Sequence, residues 1–550
     1  MRQIHSPPLR LPRSAATGCT SLTLALALAG CVSAGPAVPP AKPLARVAAT
    51  AALAPPALAT TEPGIAAGTP AEPGIVAGTP AEPGIAPGTG DWPVDGWWQA
   101  YGDPQLDALI AEGLTNAPDV ATAAARFRKA QAMADNAGAA LLPTLDGQGY
   151  AQETKITYNQ GYPAQFVAFL PHGWHDNGQL ALNFGFDPDL WGKNRAKLAA
   201  AISDRTAAGV DFAAARLALQ SGIAGAYADF AEAVTLRNLR RDALATRQKT
   251  EALLGARFDH GLEERATVRI AAADTANARG DLANAERMVT LRRDEIAALV
   301  GAGPDRGLAL AEPRLAPLGA RALPADAATA LIGRRADVIA ARDRVEAAQG
   351  NVRAAHAEFF PSIKLEALVG YQALPISMLF DKSSFFGNAG PAVSLPIFHG
   401  GAIRANYRGA QADYDIAVGD YNAAVVKAYQ QAADAVATRA RLAEQLDNTR
   451  VALAASRDAY ALASQRYAGG LANDLEVLTA EDRLIAAQVA VATLEAQARG
   501  ADIDLVRALG GGFTPAAGKN GGGYTPAGSP DASPHAAPAS PDAATKDHAQ

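Results

Sequence analysis

The chain of 550 residues has no excess of basic residues, few aromatic residues and almost no cysteine. Its 49 Lys and Arg residues are outnumbered by 55 Asp and Glu residues, so the formal net charge is −6 and nothing in the composition favours nucleic-acid binding. The only 2 cysteines, Cys19 and Cys31, lie close to the amino terminus. The mature chain is therefore predicted to fold without an internal disulfide and to be held together by packing.

The familiar motifs of catalytic sites are also missing. The sequence contains neither a G-x-x-x-x-G-K-[ST] phosphate loop nor a G-x-S-x-G nucleophile elbow. His172 and His175 form a close histidine pair, but Trp174 stands between them and the pair falls in a predicted extracellular loop. We therefore predict no enzyme activity, no cofactor and no metal site.

No apolar run near the amino terminus is long enough to cross a membrane. The run from Leu22 to Gly30 is short and follows three arginines, so residues 1–30 are predicted to form a secretory signal peptide. This signal ends in a tetrapeptide that resembles the bacterial lipobox, Leu28-Ala29-Gly30-Cys31. Acylation of Cys31 is therefore predicted, and each buried methylene contributes about 0.8 kcal/mol to membrane attachment. Val32, rather than an aspartate, follows the cysteine. The resemblance to bacterial lipoproteins therefore implies that the anchored chain is located in the outer membrane.

Both ends of the chain have compositions typical of disorder. Residues 31–94 are rich in Ala and Pro and contain a ten-residue repeat, Glu62-Pro63-Gly64-Ile65, Glu72-Pro73-Gly74-Ile75 and Glu82-Pro83-Gly84-Ile85. Residues 511–550 are rich in Gly, Pro, Ser and Ala. Few large apolar side chains are available there to offset the entropy of ordering. We predict a flexible tether behind the lipidated cysteine and a disordered tail.

The region between them is a tandem duplication. Arg257-Phe258 and Gly261-Leu262 recur as Arg466-Tyr467 and Gly470-Leu471, and Gly301 recurs as Gly510, in each case 209 positions later. Upstream, Leu141-Leu142-Pro143-Thr144 corresponds to Phe359-Phe360-Pro361-Ser362. The predicted repeats are 95–310 and 311–510, and each is predicted to contain a strand hairpin and a hairpin of long helices.

Alternating apolar and polar residues predict two strands in each repeat. The clearest is 179–186, where Leu180, Leu182, Phe184 and Phe186 alternate with smaller or polar residues, and 363–371 follows the same pattern. Residues near 145–152 and 391–398 are predicted to form the other two. All four have about the length that crosses a bilayer as a tilted strand. A soluble hairpin with one buried face remains an alternative on this pattern alone.

The helical segments are too long for a compact domain. Leu190 to Phe258 contains no proline, and a continuous helix there would reach roughly 100 Å. In the last helix Val477, Leu484, Val491, Ala498 and Leu505 form one apolar stripe with a seven-residue period, Leu475, Val489, Ala496 and Ile503 form a second, and Glu481, Gln488, Glu495 and Asp502 form a polar line between them. Two stripes predict neighbours on both sides, as in a closed helical cylinder. A coiled-coil dimer is the alternative. The charged residues of these helices are predicted to be mostly solvated or paired between subunits.

Four strands cannot close a barrel in a membrane, because an open edge would leave backbone groups unsatisfied in lipid. The chain is therefore predicted to oligomerise. A dimer would give eight strands, whose interior is filled by side chains, whereas a trimer gives twelve strands and space for a lumen. Transport favours the trimer.

The residues at the element junctions resemble those of the outer-membrane efflux factor family, the TolC-like proteins, and of its NodT-type lipoprotein branch. The resemblance covers about 97–510. Its motifs are Trp97-Trp98, Tyr101-Gly102-Asp103-Pro104, Leu106, Leu109-Ile110, Asn116, Phe186-Asp187, Leu190-Trp191-Gly192, Arg334-Arg335, Asp337-Val338, Pro396-Ile397-Phe398 and Gly400-Gly401. Ala336 departs from the proline usual in the family, at a helix start where proline is favoured but not required.

This resemblance implies an α+β membrane protein that assembles as a homotrimer, with a 12-stranded β-barrel in the outer membrane and a 12-helix α-barrel in the periplasm. It also implies two partners, a periplasmic adaptor and an inner-membrane transporter of the resistance-nodulation-division type. The adaptor contacts implied by the family lie at the helix-to-helix turns, at Arg257, Gly261, Leu262, Arg466, Gly470 and Leu471.

The resemblance also implies a constriction near the second turn. Tyr467 and Leu475 match that region, and Thr479 stands where relatives place an aspartate; Asp474 or Glu476 is the substitute carboxylate. The gate is therefore expected to be mainly apolar.

The function predicted from these features is a passive outer-membrane duct for small toxic molecules in a tripartite efflux pump. A duct for secreted polypeptides and a non-conducting lipoprotein that spaces the envelope are the alternatives. The duplicated strand pairs argue against the spacer, which needs no barrel.

Overall fold

The structure is a computed structural model that describes residues 90–514 apart from 160, 162 and 320. Cys19, Cys31, the predicted signal peptide and most of the predicted tether and tail lie outside these residues. The helices are α1 (Pro104–Asn116), α2 (Pro118–Ala139), α3 (Ala164–Val167), α4 (Lys193–Asp259), α5 (Arg265–Leu299), α6 (Pro304–Leu308), α7 (Ala327–Ala330), α8 (Ala336–Ala357), α9 (Ala402–Ala468) and α10 (Asp474–Ala508). The strands are β1 (Thr144–Thr154), β2 (His175–Phe186), β3 (Ser362–Ala373) and β4 (Phe385–Ser394).

Corresponding helices of the two repeats have the same length. Helices α4 and α9 both have 67 residues, α5 and α10 both have 35, and α2 and α8 both have 22. The starts of α4 and α9 are 402 − 193 = 209 positions apart, whereas those of α2 and α8 are 336 − 118 = 218 apart. The difference of 9 arises in the connection between the strands of each hairpin, because 155–174 is that much longer than 374–384.

Short polar caps and left-handed residues position the helix starts. The Asp103 side chain accepts a hydrogen bond from the Gln105 N–H and caps α1. Before α4, Asp189 has a φ of 51°, and its carboxylate accepts hydrogen bonds from the backbone N–H groups of Asn194 and Arg195, at 2.9 Å each. Because these two donors belong to the first turn of α4, Asp189 fixes the angle at which the long helix leaves β2.

The four strands form one antiparallel sheet in the order β1-β2-β3-β4. On one face the register brings together apolar side chains of all four strands, namely Leu145, Leu180, Leu182, Phe184, Phe186, Ile363, Leu365, Val369, Tyr371, Phe385 and Val393. The other face carries mainly polar residues, among them Asp146, Gln148, Asn183, Lys364, Glu366 and Asn388, with Tyr150, Leu368 and Phe386 as exceptions. The sheet is thus amphipathic across its full width.

The predicted fourth strand, 391–398, is placed too far along the chain. The observed strand is Phe385–Ser394, and residues 395–398 make no strand pairing in the structure. Pro396 has no N–H to donate to a ladder, which explains the end of the strand. The other three predicted strands overlap the observed ones, with ends that differ by a few residues.

The protein core lies around the middle of α4. Ile223, Tyr227 and Phe230 are fully buried there, and they pack in one cluster with Leu109 and Ile110 of α1. A second cluster joins α8, α9 and α10. The first cluster also contains side chains of α10, so α4 joins the amino-terminal helices to the second half of the chain.

The packed region extends beyond the predicted limits of 95 and 510. The Trp92 indole N–H donates to the Asp326 carboxylate at 2.9 Å, and the Arg334 guanidinium carbon lies 4.6 Å from the centre of the Trp92 ring. At the other end, Phe513 packs on a cluster of α4 and α8 side chains. Trp92 and Phe513 therefore belong to the packed part of the protomer.

Candidate gate and docking site

The two helix-to-helix turns have the same backbone geometry. Gly261 has a φ of 73° and Gly470 a φ of 72°, values that favour glycine because it lacks a Cβ. In each turn the next residue, Leu262 or Leu471, donates its N–H to the carbonyl of the arginine five positions earlier, at 2.9 and 2.8 Å. The leucine side chains are 68% and 74% exposed. Both predicted docking leucines are thus available at the surface of the protomer.

The structure joins a predicted docking residue to a predicted gate residue. Arg257, at the end of α4, donates from Nη1 to the Tyr467 hydroxyl oxygen at 3.1 Å, and its guanidinium carbon is 5.6 Å from the centre of the Tyr467 ring. Glu263 holds the other side of Arg257, with Oε2 3.5 Å from Nε. A charged hydrogen bond and a cation–π contact therefore connect the two hairpins at their tips.

The equivalent arginine of the second repeat has different partners. Arg466 Nη1 lies 3.4 Å from Glu476 Oε2, and Arg466 Nη2 donates to the Leu471 carbonyl at 3.3 Å. Phe258 occupies the position that corresponds to Tyr467 and has no hydroxyl to offer an arginine. The two tips thus share a backbone but not their side-chain contacts.

The remaining gate candidates lie in the first two turns of α10. Asn473 caps this helix by accepting the Glu476 N–H, and Thr479 donates its hydroxyl to the Leu475 carbonyl at 2.7 Å. Leu475 is 66% exposed, whereas Asp474 is half-buried. An open groove runs along α9 and α10 here, lined by Ala455, Ser456, Ala459, Ala463, Leu475, Glu476, Thr479, Ala480 and Arg483. The assignment of these residues to a gate stays a prediction.

A buried charge cluster that the sequence did not predict lies between α4 and α10, about three helical turns from the hairpin tips. Arg247 of α4 is 8% exposed, lies 3.7 Å from the Glu481 carboxylate and also bonds to Asp482. Glu481 was predicted to stand on a polar line of α10, yet it is only 3% exposed. Burial raises the pKa of Glu481, and the neighbouring Arg247 charge opposes that shift. No sequence pattern identified this cluster, because Arg247 lies more than 200 positions before Glu481 and Asp482.

Glu481→Gln should make the stability of the protein less dependent on pH. The pKa of Glu481 is higher in the folded than in the unfolded chain, so the folded protein gains stability as pH falls through that pKa and loses it as pH rises. The difference between the unfolding midpoints of the parent and the variant should shift in favour of the parent as pH falls from 8 to 4, below the ordinary pKa of a glutamate. Glu476→Gln, at an exposed carboxylate, serves as the control. Equal pH profiles for the parent and Glu481→Gln would contradict the prediction.

A second buried network surrounds Asp502. This carboxylate, 1% exposed, accepts hydrogen bonds from the Tyr101 hydroxyl at 3.0 Å and from Arg321 Nε at 3.2 Å, and Arg439 Nη1 lies 4.0 Å away. Burial, followed by the Asp502 charge, raises the pKa of Tyr101, so the hydroxyl stays a donor. The prediction that helix charges are solvated or paired between subunits is wrong for Arg247, Glu481 and Asp502, because packing inside one protomer encloses them.

Both histidines of the pair in the predicted extracellular loop make contacts with nearby backbone carbonyls. A ring nitrogen of His172 lies 2.6 Å from the Leu170 carbonyl, and one of His175 lies 2.8 Å from the His172 carbonyl. Within the part of the chain that the structure describes, no three His, Cys, Asp or Glu side chains are placed to hold a metal ion. The described helices also include none that is both long and apolar enough to cross a bilayer.

A family model described as outer membrane efflux protein matches this chain over residues 109–302 and 328–511. The chain belongs to the outer membrane efflux protein family. The two matched segments correspond to the two repeats and together include both helix-to-helix turns. This family is one of transport proteins, and the chain is an efflux channel component of the outer membrane.

Curated relatives cover most of the chain. It is 29% identical over 433 residues to the multidrug resistance outer membrane protein MdtP of Shigella flexneri, a match that spans 77% of this chain and 88% of MdtP. It is also 29% identical over 420 residues to the pyoverdine export outer membrane protein OpmQ of Pseudomonas aeruginosa, covering 76% of this chain and 87% of OpmQ.

Solved structures of the same family show the same fold. The outer membrane protein VceC of Vibrio cholerae is 39% identical, and the similarity has a TM-score of 0.72 over 77% of this chain and all of VceC. The outer-membrane channel OprN gives a TM-score of 0.71 at 26% identity, over 78% of this chain and 95% of OprN. The resemblance to outer-membrane efflux proteins and the predicted outer-membrane efflux function are confirmed by these findings.

Proposed function

We propose that three copies of this chain enclose one continuous duct, in which twelve strands form a barrel in the outer membrane and twelve helices form a tunnel in the periplasm. The observation that carries the proposal is the amphipathic sheet, whose apolar face runs across all four strands. A face of this kind suits contact with lipid, and the polar face suits a water-filled lumen. One protomer leaves β1 and β4 without a neighbouring strand among the described residues, so closure needs further copies.

The cargo that we propose is small toxic molecules, moved passively from the periplasm to the exterior. The names of MdtP and OpmQ, which refer to multidrug resistance and to pyoverdine export, support this class of cargo. Energy would come from the partners, a periplasmic adaptor and an inner-membrane transporter of the resistance-nodulation-division type. The proposed topology removes residues 1–30 and anchors the mature chain through acylated Cys31.

For the hairpin tips we propose two roles. The exposed Leu262 and Leu471, held by their glycine turns, offer apolar contacts to the adaptor, together with Arg257, Gly261, Arg466 and Gly470. The link between Arg257 and Tyr467 holds the resting tunnel closed, and Asp474, Leu475, Glu476 and Thr479 line its narrowest part. The exposed Leu475 supports a mainly apolar constriction.

Arg257→Ala should increase the open probability of the resting channel. The lost hydrogen bond and cation–π contact together stabilise the closed tip by about 1 kcal/mol per protomer, which adds up over three copies, so the ratio of open to closed channels should rise roughly a hundredfold. Tyr467→Phe, which keeps the ring and removes the hydroxyl, should have a smaller effect. Arg265→Ala, at an exposed position of the same tip, is the control and should match the parent. An unchanged open probability for Arg257→Ala in planar bilayers would remove this link from the gate.

The two alternative functions fit the structure less well. An envelope spacer needs no sheet with an apolar face across four strands, and MdtP, OpmQ and VceC are not described as spacers. A secretion duct for polypeptides would share the architecture, but the names of MdtP and OpmQ refer to multidrug resistance and to pyoverdine export, not to the secretion of polypeptides. The efflux duct is therefore the better proposal.

Dye accumulation in cells tests the proposed transport directly. A strain that lacks this chain but retains its own adaptor and transporter should accumulate more of a fluorescent cationic dye than the parent strain. Expression of the full chain should restore export, and poisoning the proton gradient should abolish the difference. Equal accumulation with and without the chain, together with a mechanically weakened envelope in the deletion strain, would favour the spacer.

A further inference from the structure

The internal duplication holds at the level of single strand pairs. In the first hairpin Thr144 is opposite Gly185. Residues of β3 follow their equivalents in β1 by 218 positions, and residues of β4 follow their equivalents in β2 by 209. Thr144 therefore corresponds to Ser362 and Gly185 to Ser394, and these two serines are opposite each other in the second hairpin. The duplication therefore predicts strand register correctly where it can be checked.

The same rule can be applied to the pairing between repeats. Strands β2 and β3 join the two repeats of one protomer, with pairs from Phe186 opposite Leu365 to Gly178 opposite Ala373. The equivalent strands are β4 and β1, which lie at opposite edges of the sheet and cannot meet within one protomer. Three inter-strand spacings separate them, about 14 Å. Their partner must be another copy of the chain.

We propose that β4 of one protomer pairs antiparallel with β1 of the next in the register given by the duplication. Leu395 then lies opposite Gly147 of the partner subunit, and Ser394 opposite the partner's Gln148. This inference rests on the proposed assembly of several copies and adds the contacts that hold those copies together.

The chemistry of the two faces agrees with this register. Leu395 and Val393 continue the apolar face of β4, and the proposed pairing places them beside the partner's Gly147 and the partner's Gly149, which lie on the apolar face of β1. A slip by one residue would place this face against the polar side of the partner strand. The register also explains why Leu395 is 38% exposed and unpaired in the single protomer.

The long helices carry an independent sign of the same interface. Within one protomer α10 packs on α4 at Arg247, and both Arg247 and Leu254 of α4 are buried. Their equivalents on α9, Ser456 and Ala463, line the open groove described above. Since α5 is the equivalent of α10 in the first repeat, α5 of the next copy should pack into this groove.

The helix interface between copies should also carry fewer charges at this position than the equivalent interface inside each copy. Where Arg247 meets Glu481 and Asp482 within a protomer, the equivalent positions are Ser456 and the partner subunit's Ala272 and the partner's Ala273. Small neutral side chains there allow close helix approach without burying a charge.

Disulfide trapping in the full chain, expressed in cells and extracted from the outer membrane, tests the register. Two double variants combine Ser394→Cys with Gln148→Cys and Leu395→Cys with Gly147→Cys. These neighbouring pairs sample both kinds of antiparallel pair. Mild oxidation should convert most of each variant to covalently linked multimers, visible without reductant, and the link cannot form within one chain because the strands are too far apart.

A displaced pair provides the matched control. Ser394→Cys with Gln152→Cys separates the two cysteines by about 13 Å along the strand, so its cross-linking should be at least tenfold lower. A protein that is multimeric by mass in detergent but cross-links better through the displaced pair would overturn the register and leave the proposed duct intact. A purified protein that is monomeric by mass and links through neither pair would overturn both.

Discussion

Asp502→Ala is expected to lower the free energy of unfolding by about 3 kcal/mol. The substitution leaves Arg321 and Arg439 close together without the carboxylate that lies between them, and it removes the acceptor of the buried Tyr101 hydroxyl. We use the lower end of the range for broken buried ion pairs, because the Arg321 side chain remains 25% exposed. The loss should appear as a lower midpoint in chemical unfolding followed by circular dichroism.

Asp504→Ala is the matched control for this loss. It removes a carboxylate from the same helix, two residues away, at an exposed position, and should change stability by less than about 0.5 kcal/mol. Asp502→Asn should fall between the two, because the amide oxygen can still accept from Tyr101 but carries no charge. Indistinguishable midpoints for Asp502→Ala and Asp504→Ala would show that the network adds nothing to stability.

Leu182→Arg is expected to prevent assembly in the outer membrane. Leu182 lies near the middle of the apolar face of β2, where an arginine at the bilayer midplane costs about 2–4 kcal/mol. Three copies multiply that cost in the proposed trimer. The variant should accumulate in the periplasm or be degraded, and outer-membrane fractions probed by immunoblot should contain little of it.

Asn183→Arg tests whether the effect depends on the face of the sheet. Asn183 is the next residue along the strand and lies on the polar face, which faces the lumen in the proposed barrel. This variant should reach the outer membrane in amounts similar to the parent and should alter conductance instead. Equal loss of both variants from the membrane fraction would contradict the assignment of the two faces.

Local signals predicted most of the fold. The proline-free run after Leu190 predicted a helix that the structure places at Lys193–Asp259. Alternation predicted β2 and β3 because large apolar residues alternate there with smaller or polar ones, apart from Leu368. The fourth strand was displaced because 387–391 contains Gly387, Gly390 and Pro391, which weaken the strand pattern, whereas the residues near Phe398 strengthen it.

The sites were predictable only where the signal is local. The turns at Gly261 and Gly470 follow from backbone geometry encoded within six residues, so their position could be read from the repeat. The contact of Arg257 with Tyr467 spans 210 positions, and that of Tyr101 with Asp502 spans 401. Contacts of this kind depend on how the two repeats pack against each other, which neither periodicity nor motif spacing specifies.

Single-channel recording of the purified protein in planar bilayers, combined with its mass in detergent, shows directly whether three copies of the chain form a conducting duct. We expect discrete conductance steps from a species whose mass corresponds to three chains. The Arg257→Ala variant should show the same steps with a higher open probability. A monomeric species that is folded and produces no conductance steps would contradict the account.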